Sequence, residues 1–193
     1  MAPSRPTILQ IVPHLDTGGA ELSAVEIAAA IVRAGGRALV LAEPGGRLAV
    51  RITDAGGEVM PFPAAAKSPL ALLRNAAAIA RLIAEETVDL VHARSRAPAW
   101  SALVAARRAR VPFVTTYHGA YGETNAAKRL YNSVMARGDV VIANSRYTAD
   151  LIAQRYGTDR DRMEVIPAAS IPTCSLPIPL GPSGLPPCAK SGA

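Results

Sequence analysis

The residues best suited to bind a ligand stand directly after apolar runs of strand length. They are Gly18 and Gly19, Arg94 and Ser95, His118 and Gly119, and Asn144 and Ser145. An imidazole or a guanidinium can hydrogen-bond a hydroxyl or a phosphate, and a glycine lets the backbone come close to a ligand. Ligands of open parallel sheets bind at the carboxyl ends of the strands. We therefore expect these residues to share one ligand-binding edge.

The chain is organised around its first turn, which follows the apolar run at 8–12. Gly18 and Gly19 permit a sharp bend, and apolar residues at helical spacing follow them. The unpaired N–H groups and the dipole at the start of a helix favour a phosphate. The adjacent glycines match neither the dinucleotide fingerprint nor a P-loop. A tight turn that binds nothing is the alternative.

Other polar residues at this edge have both a functional and a structural interpretation. The place of His118 in the expected pocket favours a functional role. His92 and His14 are expected to serve local structure instead. Arg94 and Arg96 could hold an anion or could be solvated.

Three further patterns receive less weight. Glu43 could bind a ribose, but the glycine fingerprint that accompanies such an acid is missing. Asn144 could orient a ligand or, with Ser145, cap the following helix. Asp159 and Asp161 precede a strand, at the opposite edge, and we do not interpret them as a metal site.

Strands alternate with helices along most of the chain, which predicts an α/β fold with a doubly wound, mostly parallel, Rossmann-like sheet. Seven strands are predicted, at 8–12, 37–42, 58–60, 89–92, 112–118, 139–143 and 164–166. Helices are predicted at about 22–31, 48–54, 70–86, 98–108, 125–136 and 146–156. Residues 1–167 are therefore expected to form one domain. The proline-rich stretch 168–193 is expected to be a disordered tail that could derive from a shifted reading frame.

Composition and charge narrow the class of protein. The 193 residues suffice for one domain with a real core, and the net charge of +6 admits an anionic partner or membrane surface. Nucleic acid is not expected, because no aromatic platform accompanies the arginines. The only cysteines, Cys174 and Cys188, form no metal pattern, and no segment reads as a membrane span or signal peptide. We expect a cytoplasmic protein without a cofactor, with peripheral contact at the inner face of the membrane as an option.

Five segments together resemble the amino-terminal half of a family 4-like glycosyltransferase of the GT-B fold. They are IVPHLDTGGAE at 11–21, DLVHARS at 89–95, VTTYHG at 114–119, VVIANS at 140–145 and VIP at 165–167. The resemblance implies two Rossmann-like domains that face each other across a cleft. The amino-terminal domain would mainly bind the acceptor, and the other domain the nucleotide-sugar donor. It also implies a transfer that needs no metal and retains the anomeric configuration.

By the same resemblance, Gly18 and Gly19 approach the donor diphosphate, and His118 contacts the transferred sugar as the catalytic residue. Arg94 or Asn144 would line the cleft. The other residues assigned to this cleft are Glu21, Ser95, Gly119 and Ser145. Hydrogen-bond donors aimed at the leaving diphosphate would stabilise its developing charge.

The sequence departs from the family in its carboxyl-terminal part, where the Glu-x7-Glu element and the basic residues of the donor domain are missing. We therefore expect an acceptor half that is inactive alone. The full-length parent would bind a nucleotide-sugar donor and a sugar or lipid acceptor. One alternative is a non-catalytic partner subunit that supplies the acceptor half to a separate donor-binding chain. Another is a nicotinamide-dependent oxidoreductase that uses Glu43, against which the broken glycine pattern argues.

Overall fold

Seven parallel strands form the centre of the protein, in the order β3-β2-β1-β4-β5-β6-β7. The computed structural model describes residues 5–66 and 68–167, so the predicted tail at 168–193 lies outside the described residues. The strands are β1 (Thr7–Ile11), β2 (Arg37–Ala42), β3 (Glu58–Pro61), β4 (Leu90–Ala93), β5 (Phe113–Tyr117), β6 (Val140–Ala143) and β7 (Met163–Val165). Every neighbouring pair of these strands is parallel. The predicted Rossmann-like sheet is confirmed.

Helices connect the strands. They are α1 (Gly19–Arg33), α2 (Ala49–Asp54), α3 (Pro69–Glu85), α4 (Arg96–Ala109), α5 (Ala126–Asn132) and α6 (Arg146–Tyr156), with 3-10 turns at Ser133–Ala136 and Arg160–Arg162. Helix α4 begins two residues before the predicted start at Pro98. A proline is tolerated in the first turn of a helix, because the N–H groups there have no acceptor within the helix.

Side-chain caps fix three of the helix starts. Ser68 accepts a hydrogen bond from the N–H of Ala71 at 3.3 Å, and Pro69 occupies the first position of α3. Asn125 caps α5, and Ser145 caps α6 through the N–H of Thr148 at 3.1 Å. These caps satisfy N–H groups that the helices themselves cannot.

The core has two parts, one on each face of the sheet. Strand β2 shows why, because Leu39 and Leu41 face one helical layer while Val40 faces the other. The first layer contains α3 and α4, and fully buried alanines such as Ala102 on α4 belong to its core. The second contains α1 and α2. Burial on both faces explains why the strands read as continuous apolar runs.

No helix in the two described ranges is long and apolar enough to cross a membrane.

Candidate functional site

The ligand-binding crevice of such a sheet opens where the strand order reverses, here between β1 and β4. Strand β1 is followed by α1, and β4 by α4, on opposite faces of the sheet. The N–H of Arg94, the first residue after β4, donates to the carbonyl of Ile11 at 3.1 Å. The turns that follow β1 and β4 therefore lie side by side.

Helix α1 begins at this crevice without a side-chain cap. Gly18 is its N-cap residue, with extended backbone angles, and the first intrahelical bond joins the Leu22 N–H to the Gly18 carbonyl at 3.0 Å. The N–H groups of the first turn consequently lack acceptors within the helix. A Cβ built on Gly19 would meet no described atom within 4 Å, so open space adjoins this turn. The geometry suits an anion placed against the N-terminus of α1.

The two glycines of the turn differ in their surroundings. A Cβ built on Gly18 would lie 2.0 Å from Oε2 of Glu21, so the carboxylate of Glu21 folds over the position that a side chain would take. Glu21 thereby places a negative charge in the first turn of α1, where its interaction with the positive end of the helix dipole is stabilising. Gly18 makes room for Glu21, whereas Gly19 faces the open side.

Arg94 is buried rather than exposed in the cleft, with 2% of its surface accessible. One terminal nitrogen donates to Oε1 of Gln10 at 3.2 Å, and the other donates to the hydroxyl of Ser23. Its Nε has no hydrogen-bond partner among the described residues. Burial lowers the pKa of Arg94 to about 10, and the more distant charge of Glu26 partly opposes this. Arg94 thus carries a buried charge beneath the crevice. Among the described residues, no carboxylate lies within 4 Å of its guanidinium.

His118 follows β5 and is partly buried, and the charge of Arg94 acts on its imidazole. Its Nε2 is buried and has no hydrogen-bond partner in the described part of the chain. Burial, and second the positive charge of Arg94, lower the pKa of His118 to about 4. The imidazole is therefore neutral at pH 7. Open space also adjoins Gly119, because a Cβ there would meet nothing within 4 Å.

His92 has the local structural role that its sequence suggested. It lies within β4 and its Nε2 is 2.8 Å from the hydroxyl oxygen of Thr116 on β5. Burial lowers the pKa of His92 well below 6.5, and the charges of Arg94 and His118 add to this effect. His92 is therefore a neutral, hydrogen-bonded core residue.

Asn144 and Ser145 hold the loop that carries His118. The amide nitrogen of Asn144 donates to the carbonyl of His118 at 3.0 Å, and its oxygen accepts from the hydroxyl of Thr148 at 2.7 Å. Ser145 caps α6. Both side chains are engaged within the protein, so their contacts orient the site rather than reach toward open space.

A pocket of about 230 Å³ lies at the same edge of the sheet, and we call it the edge pocket. Its polar lining comes from His14 after β1, Ser95 and Arg96 at the start of α4, and Tyr131 on α5. Arg96 donates to Oδ1 of Asn132 at 2.8 Å, and its guanidinium lies 4.2 Å from the centroid of the Tyr121 ring. Ser95 makes no side-chain cap bond, so its hydroxyl remains available in the pocket.

Several residues of the site do not stand out in the sequence. Gln10 is fully buried within β1, where it accepts from Arg94 and donates to the carbonyl of Ala24 at 3.1 Å. The signal was present, because Gln10 is the one polar residue in the apolar run of the first strand. Ser23 and Tyr131 carried no such signal, since they lie in helices whose tertiary placement brings them to the site.

The remaining candidates lie apart from this edge or serve structure. The carboxylate of Glu43 accepts from the N–H of Ala65 at 3.3 Å, which holds the loop after β3. Asp159 caps the second 3-10 turn through the N–H of Asp161. Within residues 5–66 and 68–167, no group of three or more potential metal ligands occurs.

The protein thus contains a doubly wound α/β domain with an uncapped helix N-terminus, a buried arginine and a neutral histidine at the carboxyl ends of its strands. The chain belongs to Glycosyltransferase Family 4, whose family model matches residues 17–169. No curated protein matches the chain.

Solved structures agree with the family. A glycosyltransferase from Rickettsia africae ESF-5 is 35% identical over 85% of this chain, with a TM-score of 0.73. Anabaena Alr3699/HepE, solved in complex with UDP-glucose, is 24% identical over 84% of this chain, with a TM-score of 0.67. In both cases the chain covers 43% of the solved protein. The chain therefore spans less than half the length of these relatives, as expected for the amino-terminal half of a GT-B glycosyltransferase.

Proposed function

We propose that residues 1–167 form the acceptor-side domain of a retaining, metal-independent glycosyltransferase that transfers a sugar from a nucleotide-sugar donor. The observation that carries the proposal is the uncapped N-terminus of α1 beside the buried charge of Arg94 and the neutral imidazole of His118. An anion and a hydroxyl-bearing ligand are the partners that these groups suit. The similarity to a protein solved with UDP-glucose supports a nucleotide-sugar donor.

Each group has a distinct task in this proposal. The first N–H groups of α1, with Gly19 open to approach, hydrogen-bond the diphosphate as it gains charge on leaving. Arg94 adds a fixed positive potential without touching the ligand, because its guanidinium is held by Gln10 and Ser23. His118 hydrogen-bonds a hydroxyl of the transferred sugar through its unpartnered Nε2. The acceptor occupies the edge pocket.

The edge pocket fits a polyhydroxylated acceptor. Ser95 and Tyr131 can hydrogen-bond hydroxyl groups, and Arg96 can bond an oxygen with its remaining N–H groups. The pocket is open to solvent on one side, so a sugar at the end of a lipid could also enter and bring the protein to a membrane surface. His118 and the groups of α1 belong to the donor, whereas the edge pocket belongs to the acceptor.

We further propose that the described chain alone transfers no sugar, because a nucleotide-sugar would contact only one wall of its cleft. The alternative function is a non-catalytic subunit that lends this wall to a separate donor-binding chain. Coelution with such a chain, together with activity only in the complex, would favour the alternative.

Binding and turnover test the proposal together. The purified chain should bind UDP-glucose weakly in calorimetry and release no UDP. Gly19→Val should abolish binding, because the new side chain fills the approach to α1, while the melting temperature stays close to that of the native chain. Gly122→Val is the matched control, since a Cβ at Gly122 also meets nothing within 4 Å. Equal binding by the Gly19→Val variant would contradict the assignment of the diphosphate site, and UDP release would contradict inactivity.

A further inference from the structure

A larger pocket, of about 470 Å³, lies at the opposite edge of the sheet from the sugar-transfer site. Three arginines line it, and each comes from a segment that directly precedes a strand. Arg107 lies near the end of α4, Arg137 follows the first 3-10 turn, and Arg162 ends the second. We call this feature the basic pocket. Because these segments lead into β5, β6 and β7, the basic pocket is at the amino-terminal edge of the sheet, whereas His118 follows the carboxyl end of β5.

Contacts with the rest of the protein hold each guanidinium in place. Arg107 pairs with Asp139 at 2.7 Å. Arg137 lies 5.2 Å from the centroid of the Trp100 ring and donates to the hydroxyl of Ser133 at 3.2 Å. The remaining arginine of the pocket, Arg162, donates to the carbonyl of Gly138. These contacts use only some of the N–H groups, and a guanidinium has five donors.

The positive charge of the basic pocket is only partly offset. None of the lining residues is acidic. The nearest carboxylate, Asp139, is already engaged, because it accepts from Arg107 and from the N–H of Phe113 at 2.8 Å. Asp159 and Asp161 belong to the same turn as Arg162, but neither lines the pocket, and Asp159 is the cap of that turn. Among the described residues, the one ion pair made by these three arginines is that of Arg107 with Asp139.

Ser133 and the buried Thr158 also border the pocket, but their hydroxyls already donate to the carbonyls of Leu130 at 2.7 Å and Ala136 at 3.5 Å. The free donors of the pocket are therefore the N–H groups of the arginines. Guanidinium forks around a concave space recognise phosphate oxygens, because several charge-assisted hydrogen bonds can form at once. A space of about 470 Å³ accommodates a compact phosphate.

From these observations we propose that the basic pocket binds a phosphate group, as a monoester or diphosphate, at a site separate from sugar transfer. The phosphate could belong to a soluble metabolite or to a lipid headgroup, and both present the same oxygens to the arginines. The proposal does not depend on the assignment of the sugar-transfer site.

The single tryptophan of the chain provides the measurement. Trp100 stacks against Arg137, so a phosphate that engages Arg137 should change the tryptophan fluorescence. Inorganic pyrophosphate is titrated into the full chain at constant ionic strength, with sulfate as a comparison anion. The expected result is a saturable change for pyrophosphate, weakened at least about tenfold in Arg162→Gln, which removes charge-assisted bonds without touching Trp100.

A control variant and a vesicle-binding experiment complete the test. Arg81→Gln, on the outer surface of α3, should bind pyrophosphate like the native chain and so rules out an effect of net charge alone. Cosedimentation with phosphatidylcholine vesicles that contain phosphatidic acid, competed by pyrophosphate, would identify a lipid source. Saturation by pyrophosphate without cosedimentation would identify a soluble source. The proposal is overturned if neither probe saturates, or if Arg162→Gln binds as tightly as Arg81→Gln.

Discussion

Replacing Arg94 with methionine should raise the pKa of His118. Burial and, second, the charge of Arg94 lower that pKa from 6.5 to about 4. Methionine removes the charge but keeps most of the buried volume, so the pKa should rise and still remain below 6.5. The whole lowering of the pKa, from 6.5 to about 4, corresponds to roughly 3 kcal/mol of free energy for protonating His118, at about 1.4 kcal/mol per pH unit. Burial accounts for the larger share of this free energy, and Arg94→Met removes only the share that comes from the charge.

The same pKa predicts how stability depends on pH. The unfolded chain protonates His118 at about pH 6.5, whereas the folded protein resists protonation until about pH 4. The stabilisation is therefore fully present above pH 6.5 and is lost as the pH falls toward 4. The pKa of His92 is also lowered well below 6.5, so His92 likewise makes the folded protein less stable as the pH falls. Urea denaturation at pH 7.5 and pH 5 should show this loss, and Arg94→Met should reduce it.

Imidazole NMR measures the effect directly, because the chain has only three histidines. The pKa of His118 is read from its ring resonances in the native chain, in Arg94→Met and in Arg94→Lys. The lysine variant keeps a positive charge and should keep the low value, while Arg74→Met, on the exposed side of α3, serves as the control. An unchanged pKa in a folded Arg94→Met variant, or titration of native His118 near 6.5, would refute the reasoning.

Three further predictions concern stability and are checked by urea denaturation. Gly138→Ala should destabilise the fold by about 1–3 kcal/mol, because the new Cβ would lie 2.5 Å from the carbonyl oxygen of Val140. Gly19→Ala is the control, because the space beside Gly19 is open. An equally small loss of stability in both variants would contradict this prediction. Ser145→Ala should cost about 1 kcal/mol through loss of the α6 cap, and Ser145→Thr should retain most of the native stability. Arg37→Ala should cost less than about 1 kcal/mol, since its bonds to Glu58 and Glu86 are solvent-screened; a loss above 2 kcal/mol would show that these pairs act as a buried network.

The sequence predicted the architecture because strands and helices left local signals. Apolar runs of strand length located all seven strands, and Ser68 with Pro69 located the start of α3. The predicted helix at 125–136 divides into α5 and a 3-10 turn, a change of hydrogen bonding that an apolar pattern does not distinguish.

The direction of side chains at the site could not be predicted in the same way. Arg94 follows β4 as expected, yet its guanidinium turns inward to Gln10 and Ser23, because those neutral oxygens are its nearest acceptors. Asn144 likewise bonds the carbonyl of His118 instead of facing the crevice. The direction of each side chain depends on which elements pack beside it, and its position at the end of a strand does not determine that direction. The predicted roles in ligand binding stay predictions.

The central claim is that the carboxyl ends of β1 and β5 bind a nucleotide-sugar. The most direct measurement is a ¹H–¹⁵N NMR titration of the chain with UDP-glucose, with glucose alone as the comparison. We predict shifts concentrated at Gly18, Gly19, His118 and Gly119, with the edge pocket responding to free sugar instead. An unchanged spectrum at saturating UDP-glucose, or shifts confined to other surfaces, would contradict the account.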